Sequence, residues 1–123
     1  VKYLILIHSN PASRAAWDRL TDEQRANFGP AHLALNKELA AAGVLASSEG
    51  LQPVDTAKRV TVREGRVITS DGPFAEVKEH LAGFYVVEVD SVDDAIAIAA
   101  RVPDAEFGEV EVRPVYDLSQ LES

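Results

Sequence analysis

Two segments of this 123-residue chain are apolar on both sides of an extended strand. In residues 2–8 (KYLILIH), Tyr3, Ile5 and Ile7 point one way and Leu4 and Leu6 the other, because successive side chains alternate across a strand. In residues 84–89 (FYVVEV) both sides are again apolar apart from Glu88. Such strands must be covered above and below, so both belong at the centre of a sheet and not at its edge.

The rest of the chain is ordered around these two strands. Ser9-Asn10-Pro11 breaks the first. Residues 12–28 are weakly patterned helix, with Thr21 and Gln24 spaced as an N-cap and capping box, which predicts two short helices or one bent one. Gly29-Pro30 reads as a restart, followed by a helix over 31–42 that Gly43 ends. His32, Leu35, Asn36 and Leu39 share one face of that helix. Residues 44–51 begin as a strand. Residues 59–63 and 66–69 read as a hairpin turning on Glu64-Gly65. Ser70-Asp71-Gly72-Pro73-Phe74 must then stop the arriving strand, since Gly and Pro impose turn dihedrals and Asp bonds nearby backbone N–H groups. Residues 75–81 are expected to make about two turns of helix, ended by Gly83. Ser91 reads as the cap of another helix, with Val92, Ala95, Ile96 and Ala99 facing the core and Pro103 ending it. In residues 109–115, Glu109, Glu111 and Arg113 alternate with Val110 and Val112 as a strand. Residues 117–123 read as a tail. Residues 1–123 are a single domain.

Without the hairpin the order is βαββαβ, the ferredoxin-like α+β pattern, in which the first and third strands are central. Both helices then pack on one sheet face. Tyr3, Ile5, Ile7 and their neighbours cannot all sit in water, so the bare face calls for a partner. A second copy is the simplest one, giving a homodimer that forms a dimeric α+β barrel. In the alternative, the inserted hairpin folds over the face and the protein is a monomer.

Composition narrows the function. The net charge of −8 and the lack of a Lys/Arg stripe exclude a phosphate backbone as partner, hence no nucleic acid, and disfavour an anionic membrane surface. No apolar run reaches the roughly 18 residues of a membrane span, and the N-terminus carries no signal-peptide pattern. There are no cysteines, which removes disulfides, thiolate nucleophiles and Cys-ligated metals. A cytoplasmic location is expected. No phosphate loop, dinucleotide-binding glycines or zinc-helix motif occurs, so neither a cofactor nor a metal is expected.

The chemistry left is proton transfer. Histidine moves protons near neutral pH, and a carboxylate beside it fixes its tautomer. His32, near a helix start and turned toward the core, and Asp71, held on a rigid turn, are the candidate catalytic pair. The plainer readings are a core histidine bonded to backbone and an aspartate that only caps its turn. His8 at the end of the central strand, Ser70, Phe74 and Arg113 are candidate substrate-binding residues. Arg113 would hold an anionic group, or would pair with Glu109 and Glu111.

Asp71-Gly72-Pro73-Phe74 with Glu76, Lys78 and Glu79, Gly83-Phe84-Tyr85, the closing Val110-Glu111-Val112-Arg113-Pro114 and the opening Lys2–Ile7 resemble the DGPF group of YCII-related proteins. The resemblance implies a ferredoxin-like unit paired into a dimeric barrel. It also implies a His–Asp pair with the histidine in the first long helix, where His32 matches and Asp71 is the candidate partner. The broader group includes a dehydrochlorinase, and most members have no assigned activity. Two functions follow as expectations. One is a small cofactor-independent enzyme performing elimination or isomerisation on a small polar molecule. The other is a non-catalytic small-molecule-binding or regulatory dimeric module. A purely structural dimer is the reading without either function.

Overall fold

The computed structural model describes residues 1–73 and 78–121. Its elements are β1 (Lys2–Ser9), α1 (Pro11–Asp18), α2 (Asp22–Ala41), β2 (Leu45–Gly50), β3 (Lys58–Arg63), β4 (Arg66–Asp71), β5 (His80–Glu88), α3 (Val92–Ala99) and β6 (Val110–Pro114), with short 3-10 turns at Val54–Thr56, Pro103–Glu106 and Leu118–Leu121. The protein is α+β, with two antiparallel sheets. The larger has the order β2-β5-β1-β6, so the two doubly apolar strands lie at its centre as their sequences require. Among the described residues no helix is long and apolar enough to cross a membrane.

The core sits between one face of this sheet and the helices. Tyr3, Ile5, Ile7, Tyr85 and Val87 meet Leu35 and Leu39 of α2 and Ala95, Ile98 and Ala99 of α3. The other face carries Leu4 and Leu6 opposite Val86 and Phe84, all half-buried. Tyr3, Ile5 and Ile7 are therefore the set under the helices, and Leu4 and Leu6 lie on the opposite face. The β3–β4 hairpin does not cover that face with its own valines: Val60, Val62 and Val67 are all more than 60% exposed, and the hairpin forms a separate sheet.

Local signals set several element ends. The side chain of Thr21 accepts from the Gln24 N–H and Gln24 reaches back to the Thr21 N–H, a full capping box that starts α2. Glu64 (φ 50°) and Gly65 (φ 75°) both take the left-handed conformation that a two-residue hairpin turn demands. Gly72 (φ 74°) ends β4 in the same region.

Three expectations are corrected. Gly29-Pro30 does not restart the chain: α2 runs through Pro30. Proline's fixed φ is already helical, so it forfeits one hydrogen bond and strains one turn. The buried anchors Leu35 and Leu39 further along hold the helix in place. His80 and Leu81 are strand, not helix, and Gly83 lies inside β5 instead of ending a helix (Ala75 to Val77 lie outside the described residues). In α3 the buried residues are Ala95, Ile98 and Ala99, whereas Val92 and Ile96 are about half exposed. The helix is rotated so that Ile98, in place of Val92 and Ile96, joins Ala95 and Ala99 in the core.

Gly83 shows why glycine stands in a central strand. It is buried opposite Gly50 and Ile7, and an added Cβ would lie 2.9 Å from the Glu49 carbonyl oxygen and 3.4 Å from the Gly50 Cα. Both obstacles are backbone, which cannot swing aside. Gly83→Ala is expected to push β2 off β5 and cost about 1–3 kcal/mol, read from urea unfolding midpoints.

Candidate functional site

His32 lies on α2 one turn before Asn36 and projects toward β5. Its Nδ1 is 2.6 Å from the Tyr85 hydroxyl and its Nε2 2.7 Å from Asp104 Oδ1. An ionised carboxylate only accepts, so Nε2–H donates to Asp104, and the neutral ring accepts the Tyr85 O–H at Nδ1. Asp104 comes from the 3-10 turn that Pro103 opens after α3. Tyr85 comes from the centre of the sheet and is 1% exposed. Three separate parts of the chain thus meet at one imidazole.

Burial pushes the Tyr85 phenol above its ordinary pKa, a hydrogen bond with Ser48 opposes the shift, and the Asp104 charge adds to it. The tyrosine is held as a neutral hydroxyl and donor. Phe28 meets the His32 ring edge-on at 4.8 Å, and Tyr85 stacks on it at 5.9 Å. Both ring nitrogens are engaged and aromatic rings pack on the imidazole, so its orientation is fixed.

Beside this group lies a cleft of about 420 Å³. Trp17, Phe28 and Phe107 form an aromatic cluster along it, with centroids 5.0 Å (Trp17–Phe28), 5.9 Å (Trp17–Phe107) and 5.8 Å (Phe28–Phe107) apart. Asp104, His8, Ser9 and Arg14 also line it. Asp104 is therefore the member of the histidine–carboxylate pair that borders the cleft. Close packing shapes one end: a Cβ on Gly108 would come within 3.1 Å of the Cβ of buried Ser13, so α1 and the segment after the 3-10 turn nearly touch.

The residues expected from sequence divide clearly. His32 is at the cleft's edge group, but its carboxylate is Asp104 and not Asp71. Asp71 lies 2.5 Å from Lys58, with its side chain 86% exposed. The reason is the hairpin ladder, which sets Lys58 directly across from Asp71 and supplies the carboxylate with its own cation. Ser70 is exposed on the same hairpin opposite Arg59. Phe74 lies outside the described residues. Arg113 is exposed on β6 opposite Leu4, away from the cleft lining. Glu111, its expected partner, instead bonds His8 Nε2 at 2.9 Å, while Glu79 lies 3.5 Å from His8 Nδ1. His8 does line the cleft.

Asp104 and Arg14 are the residues that sequence reasoning passed over. Asp104 follows a helix-ending proline with no surrounding pattern. Tyr85 carried a signal: a tyrosine on the buried side of a central strand needs a partner for its hydroxyl.

Fold and site together define a small α+β protein with a histidine–carboxylate pair beside an aromatic cleft. Residues 1–119 match the YCII-related domain, and the chain belongs to that family. It is similar to an uncharacterised protein of Rhizobium meliloti (strain 1021), 32% identical over 115 residues, covering 92% of this chain and 90% of that protein.

Proposed function

We propose that this YCII-related protein is a small cytoplasmic, cofactor-independent enzyme that moves a proton in an elimination or isomerisation of a small polar molecule. The Asp104–His32–Tyr85 group beside the cleft carries the assignment. Asp104 is the base that meets the substrate. His32 takes the orienting role that sequence reasoning gave to Asp71, and His8 stands at the rim. The Tyr85 hydroxyl fixes the imidazole tautomer from behind.

The test is solvent exchange. The protein is incubated in D2O with small enolisable acids, β-halogenated acids and phenols, and loss of C–H signal is followed by proton NMR. Catalysed exchange in one compound supports the enzyme; background rates throughout the panel favour the second reading. That second reading is a non-catalytic binding module. Its supporting observation is that both nitrogens of His32 are already bonded, which suits an anchor as well as a catalyst.

We also assign the chain to the DGPF group and its larger sheet to the ferredoxin-like pattern, pairing through the bare face into a homodimer. The order β2-β5-β1-β6 and the apolar strip of Leu4, Leu6, Phe84 and Val86 support this. Light scattering at micromolar concentration is expected to give twice the 13.3 kDa chain mass, and a monomer mass removes the dimer.

A further inference from the structure

Among the described residues the cleft has an aromatic wall and one arginine, Arg14, with no carboxylate against it. Arg14 donates from its guanidinium to Ser9 Oγ at 3.1 Å. Among the described residues no carboxylate stands within ion-pair distance of it, although the chain carries 20 Asp and Glu against 12 Lys and Arg. Asp18 lies one turn further along the same stretch and also borders the cleft, yet the two side chains do not pair. The other basic group in the lining, His8, is held between Glu79 and Glu111. The Asp104 carboxylate is engaged by His32. Among the described residues the cleft's charges are thus answered from within the protein at His8 and Asp104, and left open at Arg14 and, at the far end of the same helix, at Asp18.

The wall beside it is built for a flat apolar body. Trp17, Phe28 and Phe107 are large, yet all three are only half-buried, and all three border the cleft. A ring placed there gains edge or offset contacts and loses its own exposure to water. A guanidinium is a planar fork that matches a carboxylate with two parallel hydrogen bonds.

We propose that the cleft binds a small aromatic carboxylate, with its ring against Trp17, Phe28 and Phe107 and its anionic group on Arg14. This rests on the cleft being the ligand site, and it deepens that assignment by naming the ligand class. It moves the anion-binding role from Arg113, on the outer face of β6, to Arg14.

Trp17 is the only tryptophan in the chain, so its fluorescence reports on this wall alone. The experiment titrates the intact protein with benzoate, benzyl alcohol and benzylamine, following Trp17 emission. Benzoate is expected to give a saturable change and to bind more tightly than either comparison compound. Arg14→Gln is expected to weaken benzoate about tenfold, the loss of one charge-assisted contact, and to leave benzyl alcohol unchanged. Arg14 is exposed, so the variant is expected to unfold at the wild-type temperature, which a thermal melt checks.

A linear, unsaturable response to benzoate, tighter binding of benzylamine, or an Arg14→Gln variant that binds benzoate like wild type would each overturn the proposal. Benzoate offers no proton for elimination, so these outcomes are independent of catalysis. Solvent exchange without benzoate binding would sink the ligand class and leave the enzyme standing. Benzoate binding without exchange would do the reverse.

Discussion

Asp104→Asn is expected to lower catalysed solvent exchange by about 10²–10⁴-fold, the usual contribution of a positioned general base. The substitution keeps the shape of the side chain and an oxygen that can accept from His32 Nε2–H. It removes the negative charge and with it the capacity to take a proton. His32→Gln is the informative companion, because it leaves the carboxylate beside the cleft and removes the ring that orients it. Exchange is expected to fall in both variants, with a change of pH profile in His32→Gln. If Asp104→Asn exchanges at the wild-type rate, the carboxylate is not the base. Unfolding midpoints measured alongside separate loss of chemistry from loss of fold.

Tyr85→Ala is expected to cost about 3–5 kcal/mol of stability, the range for emptying a large aromatic site. Tyr85 is among the most deeply buried side chains and bridges β5 to α2. Tyr85→Phe keeps the ring and is expected to cost about 1–3 kcal/mol, because His32 Nδ1 then lacks its donor in a part-buried site. The phenol also sets a pH dependence. Its folded pKa is raised above the ordinary 10.0, mainly by burial. The folded state therefore holds a proton that the unfolded chain releases. This contribution to stability is fully present below pH 10 and is lost as pH rises through the folded value. Urea midpoints are expected to fall from pH 9 to pH 11 in wild type, and to fall less in Tyr85→Phe. Equal slopes in the two proteins would remove Tyr85 as the cause.

The alternation of Lys2–Ile7 and Phe84–Val87 was legible because each strand's composition already demands cover on both faces. The hairpin turn and the start of α2 were legible for a similar reason. Glu64-Gly65 and Thr21–Gln24 satisfy backbone requirements within four residues. The rotation of α3 was not. Val92, Ala95, Ile96 and Ala99 make an acceptable apolar stripe, but Ala95, Ile98, Ala99 and Val102 make another of the same spacing, and only packing against the sheet chooses the second. His32 was identifiable from its helix face, whereas its partner was not. Two carboxylates, Asp71 and Asp104, stand 39 and 72 residues further along the chain, and no local spacing distinguishes them.

The sequence by itself therefore determined the two central strands, the hairpin turn, the start of α2 and the presence of a histidine directed inward. Those are consequences of short-range periodicity and of backbone groups that must be satisfied nearby. Only the tertiary structure decided which acid meets that histidine, where the open cation lies and which sheet face the helices cover. Hairpin register gave Asp71 to Lys58, and the turn after α3 carried Asp104 to His32. Contacts between distant segments depend on how elements pack, and packing is a property of the whole chain.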